Sequence, residues 1–401
     1  MVHLPEDSLG IYVHVPYCIK KCRYCDFVSF EKAPQDEYFD GIVEDIRTAA
    51  NKIGNRSKYY VDTLFFGGGT PSLANAAQLG IVLDALRKNF EMRDPEMTVE
   101  VNPETVTAEK AADLKALGFN RISMGVQSLD DEVLKAMGRV HDAEKAKLAF
   151  RILREAGFDN INLDLIFGAP AQDLRIWQET LAEVLKMRPE HISFYSLQLE
   201  EGTPLYADYT AGKVDLSSWE ENRAMYHAAV EALNAAGYHH YEISNAALPG
   251  FECRHNLKYW NMQPYLGFGL SAHSFINGCR GEVDYSAADV SDPAVCQECG
   301  PDDLSERPVR GIFGLQPESG SDLKGDFIFT KLRLTDGFEL SDYSGMFGSD
   351  FRSDFAAVLP ELLKDSMLEL TGDVLRFTQK GLDNTNPVMG RLIEALEKPG
   401  L

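Results

Sequence analysis

Cys18, Cys22 and Cys25 stand in a C-x3-C-x2-C spacing within Tyr12-Val13-His14-Val15-Pro16-Tyr17-Cys18-Ile19-Lys20-Lys21-Cys22-Arg23-Tyr24-Cys25-Asp26-Phe27. They lie just after a short β-branched and aromatic strand. Three thiolates on one loop can hold three irons of a [4Fe–4S] cluster and leave the fourth iron open to a non-protein ligand. Other readings of the residues exist. Cys22 and Cys25 alone make a thioredoxin-like pair, which a third cysteine does not suit. Zinc needs a fourth ligand, and the nearest candidate upstream is His14.

Further polar residues gather where apolar runs end. Phe65-Phe66-Gly67-Gly68-Gly69-Thr70-Pro71 offers backbone N–H groups that a bound carboxylate or amine can approach closely. Glu100, Gln127 and Asp164 follow at later run ends, and Arg139 one helix further on. Polar groups on apolar strands need partners, because burying them unpaired is costly. They could cap neighbouring helices or pair with Arg139. Together around one mouth they form a polar cup suited to a zwitterionic, hydroxyl-rich ligand.

The elements that position these residues alternate. Strands are expected at 11–15, 60–66, 97–101, 120–126, 160–166 and 191–197, with a weaker seventh at 239–243. Helices are expected at 34–50, 74–89, 107–117, 142–156, 172–187 and 218–236. Gly118, Gly157 and Gly237 each close a helix. This alternation implies an α/β fold with a parallel sheet and helical crossovers. Six units are too few for a closed eight-stranded barrel, so a partial (β/α)6 barrel is expected, with its chemistry at the C-terminal strand ends.

The chain has 401 residues, about two to three domains' worth. With 39 basic and 62 acidic residues its formal net charge is −23, which opposes nonspecific binding to nucleic acid or anionic lipid. No signal peptide or membrane-spanning run is found. Seven cysteines, three of them in the cluster spacing, suit a reducing cytoplasm rather than a disulfide framework.

In this order the motifs resemble the radical SAM superfamily, in its HemN/HemW-like branch, clearly over residues 10–280 and more loosely over 322–385. The resemblance implies that S-adenosylmethionine (SAM) chelates the open iron. It also implies that Tyr12 lies near SAM and that Tyr24 covers the cluster. Gly68, Gly69 and Thr70 would meet the methionine end, Glu100 the amino group, Arg139 the carboxylate, and Gln127 and Asp164 the ribose. The branch contains oxygen-independent coproporphyrinogen III dehydrogenases and heme chaperones. The dehydrogenases carry a cysteine two residues after the third cluster cysteine, where this chain has Phe27, and a long extension before the first strand, where it has ten residues. Both differences favour the chaperone side. So does His255-Asn256-Leu257-Lys258-Tyr259-Trp260, which resembles an H-N-x-x-Y-W heme-binding motif. There His255 would be the axial ligand, with Tyr259 and Trp260 over the porphyrin. His273 is a second candidate ligand, and Cys253 reads as a small buried residue.

Residues 281–321 read as an irregular insert. Its Cys296 and Cys299, with Cys279, could bind zinc or a further cluster, but read more simply as exposed thiols. A helix over 327–334, another over 350–365, a hairpin over 367–378 and a last helix over 383–396 suggest a small winged-helix-like domain that packs or acts as a lid. The expected domains are 1–245, 246–321 and 322–401. The resemblance implies a chaperone that passes heme to an apo-hemoprotein, with a flavodoxin or ferredoxin as reductant and no catalytic residue assigned. Oxidative decarboxylation of coproporphyrinogen III is the alternative.

Overall fold

The computed structural model describes residues 7–53, 59–284, 312–313 and 316–397. Cys296 and Cys299 lie outside the described residues. Six parallel strands run side by side in sequence order. They are β1 (Ser8–Val15), β2 (Tyr60–Gly68), β3 (Glu91–Val101), β4 (Arg121–Gln127), β5 (Ile161–Phe167) and β6 (His191–Ser196). The crossovers carry α1 (Asp36–Ile53), α2 (Ala76–Asn89), α3 (Ala108–Leu117), α4 (Asp131–Ala136), α5 (Ala143–Glu155) and α6 (Leu174–Met187), and α7 (Pro204–Thr210) and α8 (Trp219–Ala235) follow β6. The short α4 and α7 go beyond the helices expected from sequence. Gly118, Gly157 and Gly237 all have positive φ, the left-handed turn that ends a helix. β1, β4 and β5 are buried along most of their length, as a sheet covered on both faces requires. This is the partial (β/α)6 barrel expected from the alternation.

The seventh strand differs from the expectation. Residues 239–243 do contain a strand, β7 (His239–Glu242), but it pairs antiparallel with β8 (Asn245–Ala247), itself antiparallel to β6. Only Ile243 and Ser244 separate the two, far fewer residues than a parallel crossover needs. The further parallel strand is β9 (Tyr265–Phe268), on the opposite side beside β1. Beyond β9 the sheet continues antiparallel through β10 (His273–Ile276) and β11 (Cys279–Asp284), so part of the expected irregular insert is regular.

Between β8 and β9, α9 (Arg254–Trp260) closes the floor of the barrel, at the N-terminal ends of the strands. Cys253 gives it no side-chain cap. The buried Glu96 of β3 accepts instead from the N–H groups of Arg254 and His255, at 3.3 and 3.2 Å. Lys258, fully buried, pairs with Asp62 at 2.7 Å and donates to Ser8 at 2.7 Å. Cys253 is buried as expected, whereas His273 is exposed at the start of β10.

The C-terminal region has its own core around Phe327, Phe338, Tyr343 and Phe351, which also takes in Met262 and Phe275. Its first helix, α10 (Gly320–Lys331), starts earlier than expected, because Ser319 caps it through the Asp322 N–H. The helix expected over 350–365 is two short ones, Phe351–Asp354 and Leu359–Lys364. Pro360 explains the break, since proline fits a first helical turn but not an interior. The expected hairpin forms from Leu368–Thr371 and Val374–Phe377, and Phe338–Glu339 adds a third strand. The last helix is Thr385–Glu397.

Candidate cluster and SAM site

The cysteine loop leaves β1 at Val15 and is tied back by Cys18 N–H to Phe30 O at 2.9 Å and Phe30 N–H to Pro16 O at 2.7 Å. Arg23 anchors its far side through an ion pair with Asp208 and a bond to Ala136 O at 3.2 Å. The three thiols are half-buried and face one cavity of about 890 Å³. Thr70 Oγ1 lies 3.7 Å from Cys18 Sγ, and Arg139 Nη1 lies 3.2 Å from Cys22 Sγ. Burial pushes the Cys18 and Cys25 thiols up, so their ionisation needs a positive partner.

This donor set suits an iron–sulfur cluster. Among the described residues no three His, Cys, Asp or Glu side chains converge on a single metal ion. His14 is no zinc ligand here. It is buried, with Nδ1 at 3.1 Å from Tyr12 Oη and Nε2 at 2.8 Å from Val28 O. Three thiols beside a guanidinium and a hydroxyl, open to one cavity, fit a cluster that leaves one iron facing that cavity.

The glycine run does a different job from the one its sequence suggests. Gly68, Gly69 and Thr70 line the cavity, but their N–H groups are already engaged. Gly68 donates to Glu100 Oε2 at 3.0 Å, Gly69 to Val15 O at 2.9 Å and Thr70 to Tyr17 O at 2.7 Å. A Cβ at Gly69 would lie 2.7 Å from Tyr17 O and 2.8 Å from Tyr17 N. The glycines therefore let the end of β2 lie against the cysteine loop.

The remaining cup residues converge. Glu100, Gln127, Arg139 and Asp164 line the same cavity, as does Tyr24, which packs against the Val133–Ile166 cluster beside Arg139. Arg139 Nη2 donates to Asn102 Oδ1 at 2.6 Å and Gly125 O at 2.8 Å, while its Nε is buried without a partner. Asp164 accepts from Asn162 at 2.7 Å and Ser123 at 3.3 Å. Burial and the nearby Asp164 push Glu100 up to about 8, against the pull of Gly68 N–H and Arg121. Burial also raises Asp164. Burial thus holds both carboxyls toward their neutral forms, and a cationic group bound in the cup would favour the charged, accepting form. Gln127 ends β4 with φ of 66°, a left-handed kink that reaims the chain at the cup.

Two expected site residues sit elsewhere. Tyr12 lines a smaller inner cavity, below the cup but beside Glu100. His255 lines that inner cavity too and is only 1% exposed. Its Nδ1 lies 2.9 Å from Thr63 Oγ1 and its Nε2 2.8 Å from Tyr259 Oη, with Phe65 stacked on the ring at 5.3 Å. Both nitrogens are thus engaged, and His255 is not presented to a ligand at the surface.

Sequence reasoning missed Trp219, Asn222, Arg223 and Arg333, which line the outer part of the large cavity. The first three sit on α8, and Arg333 follows α10. Their sequence neighbourhoods read as ordinary helix faces, and only packing brings them to the mouth.

The model of the Radical SAM superfamily matches residues 12–184, and that of the HemN C-terminal domain matches 324–383. The heme chaperone HemW of Bacillus subtilis is 32% identical over 393 residues, covering 96% of this chain and 99% of that protein. HemW of Escherichia coli is 36% identical over 287 residues, covering 71% and 74%. The chain belongs to the HemW family of radical SAM proteins. The solved structure of coproporphyrinogen III oxidase (HemN) from Escherichia coli superimposes with a TM-score of 0.78. That match spans 99% of this chain and 92% of HemN at 24% identity, so it shows a shared fold. Within the HemW family frame, the residue after Cys25-Asp26 is Phe27, which is 69% exposed at the cavity mouth.

Proposed function

We propose that the chain is a heme chaperone, which binds heme and passes it to an apo-hemoprotein. The observation that carries this reading is the end-to-end similarity to HemW of Bacillus subtilis, through both the barrel and the C-terminal region. Phe27 supports it, because a dehydrogenase-type loop would place a cysteine there.

Cys18, Cys22 and Cys25 would hold a [4Fe–4S] cluster, and SAM would occupy the polar cup. When bound, that pair supplies a one-electron route to sulfonium cleavage. The chain's own residues do the rest. Arg139 sets a positive charge against Cys22, Glu100 and Asp164 accept donors from the ligand, and Gln127 turns the backbone into the cup. The cluster calls for a small reductant protein such as a flavodoxin or ferredoxin and for a reducing compartment, the cytoplasm. Among the described residues no helix is long and apolar enough to cross a membrane.

The test is anaerobic reconstitution with iron and sulfide, heme titration by absorbance, and then transfer to an apo-hemoprotein. The expected result is saturable heme binding, transfer that depends on the cluster cysteines, and no protoporphyrinogen IX from coproporphyrinogen III. Conversion of coproporphyrinogen III without heme uptake would replace the chaperone reading with the dehydrogenase one.

A further inference from the structure

The two sides of the cysteine loop differ. On one side Arg23 is covered. Its N–H donates to Met137 O at 3.1 Å, its C=O accepts from Leu205 N–H at 2.9 Å, and its guanidinium pairs with Asp208. On the other side Ile19 and Lys20 stand in water, as does Phe27. Among the described residues no carboxylate pairs with Lys20, and Lys21 Nζ donates to a carbonyl, Phe27 O, at 3.0 Å. Both ammonium groups keep charge and donors for a partner outside the chain.

The charge of this spot opposes that of the chain. Residues 18–32 carry Lys20, Lys21, Arg23 and Lys32 against Asp26 and Glu31, whereas the whole chain carries −23. After β6, on the far side of the mouth, the exposed Glu200 and Glu201 are acidic. An acidic protein is thus repelled by most of the surface and drawn to the loop. Ile19 and Phe27 add a small apolar centre beside the cations. That makeup suits a brief electron-transfer encounter, whose interface stays below about 1,200 Å².

On the cluster reading, we infer that this side of the loop, Ile19, Lys20, Lys21 and Phe27, is the docking surface for an acidic one-electron donor protein. A donor seated there touches the backbone that carries Cys18 and Cys22. The donor loses one electron and the cluster gains it; no bond forms or breaks, and no proton crosses. The surface is held in shape by Lys21 N–H to Glu31 Oε1 at 2.8 Å and Cys25 N–H to Cys22 O at 3.2 Å.

The experiment mixes the reconstituted full chain with reduced flavodoxin, an acidic flavin protein, and follows the second-order rate of cluster reduction by absorbance at low and high salt. Calorimetry with oxidised flavodoxin reads the complex itself. Lys20→Glu should lower rate and affinity about three- to tenfold at low salt, and Lys20→Met less. The gap should close toward about 1 M salt, where the Debye length falls to about 3 Å. Lys88→Glu makes the same charge change on α2, at the opposite end of the barrel, and should leave both near wild type. Photoreduced deazariboflavin, a small neutral donor, should reduce wild type and Lys20→Glu equally. Iron per chain shows whether the loop still holds its cluster; where Lys20→Glu loses iron, Lys20→Met carries the comparison. Equal losses in the Lys20 and Lys88 variants, a rate that ignores salt, or a wild-type cluster that only deazariboflavin reduces would overturn the docking surface and leave the cluster reading intact. A wild-type chain that takes up no iron, or that neither donor reduces, would overturn the cluster reading itself.

Discussion

Cys22 and Arg139 meet across the mouth of the barrel, with Arg139 Nη1 3.2 Å from Cys22 Sγ. The same guanidinium is fixed by Asn102 and Gly125 O, so it cannot swing away from the thiol. A fixed cation beside a cluster ligand favours the more negative, reduced state of the cluster. Arg139→Met should therefore move the reduction midpoint to more negative potential and weaken SAM about tenfold, an amount typical of a lost charged hydrogen bond. A redox titration followed by electron paramagnetic resonance checks it, and an unchanged midpoint would refute the electrostatic role.

Glu100 makes the cup costly to the fold. Its carboxyl, ordinarily near 4.5, is pushed up to about 8 by burial and by Asp164. Between those two values the folded state holds more protons than the unfolded one, so stability falls as pH rises. The slope for one group approaches about 1.4 kcal/mol per pH unit. Glu100→Gln should be more stable than wild type at pH 8, with the gain shrinking toward pH 4.5, while its SAM affinity drops. Urea unfolding across that range reads the difference, and parallel curves for the two proteins would show that Glu100 is already ionised.

Two glycines, Gly69 of the run and Gly80 of α2, give opposite signs on alanine substitution. At Gly69 the new Cβ would meet the backbone of Tyr17 and Pro16 within 3 Å, and backbone cannot step aside. Gly69→Ala should displace the cysteine loop, cost about 1–3 kcal/mol and lower the iron content after reconstitution. At Gly80, inside α2, the nearest atom is a Leu117 methyl at 3.6 Å, so Gly80→Ala should gain about 0.5–1 kcal/mol with iron unchanged. Iron per chain and thermal unfolding, measured on both, separate the loop-packing role from a general intolerance of substitution.

What the sequence revealed followed from local pattern. Period and spacing expose β1 to β6, the helix-ending glycines and the three cysteines, because each is a property of a few neighbouring residues. What stayed hidden depends on distant packing. His255 finds Thr63, 192 positions away, and Glu96 caps α9 from β3. No local signal shows that a histidine motif becomes the floor of a barrel. The glycine N–H groups misled for the same reason: their acceptors belong to the end of β1 and to β3. Arg333 reaches the cavity only because the C-terminal core packs beside β7 and α9.

The floor of the barrel carries a pH signature of its own. Burial, with Lys258 and Arg121 nearby, holds the His255 imidazole neutral, down to about 3. Its ordinary value is 6.5, so between 6.5 and 3 the unfolded state binds the extra proton. The stability that the neutral ring contributes is complete above pH 6.5 and is lost as pH falls through that window. This is the opposite direction to Glu100, so only the difference between each variant and wild type isolates one group. Burial also lowers His14, His191 and His240, so acid destabilisation persists when His255 is removed. His255→Gln should cost about 1–3 kcal/mol at pH 7.5, because Thr63 and Tyr259 lose their shared partner. The gap between variant and wild type should narrow by up to about 1.4 kcal/mol for each unit below pH 6.5. Urea unfolding at pH 7.5, 6 and 5 measures it, and a gap that stays constant would mean that the imidazole already takes up a proton in the folded protein.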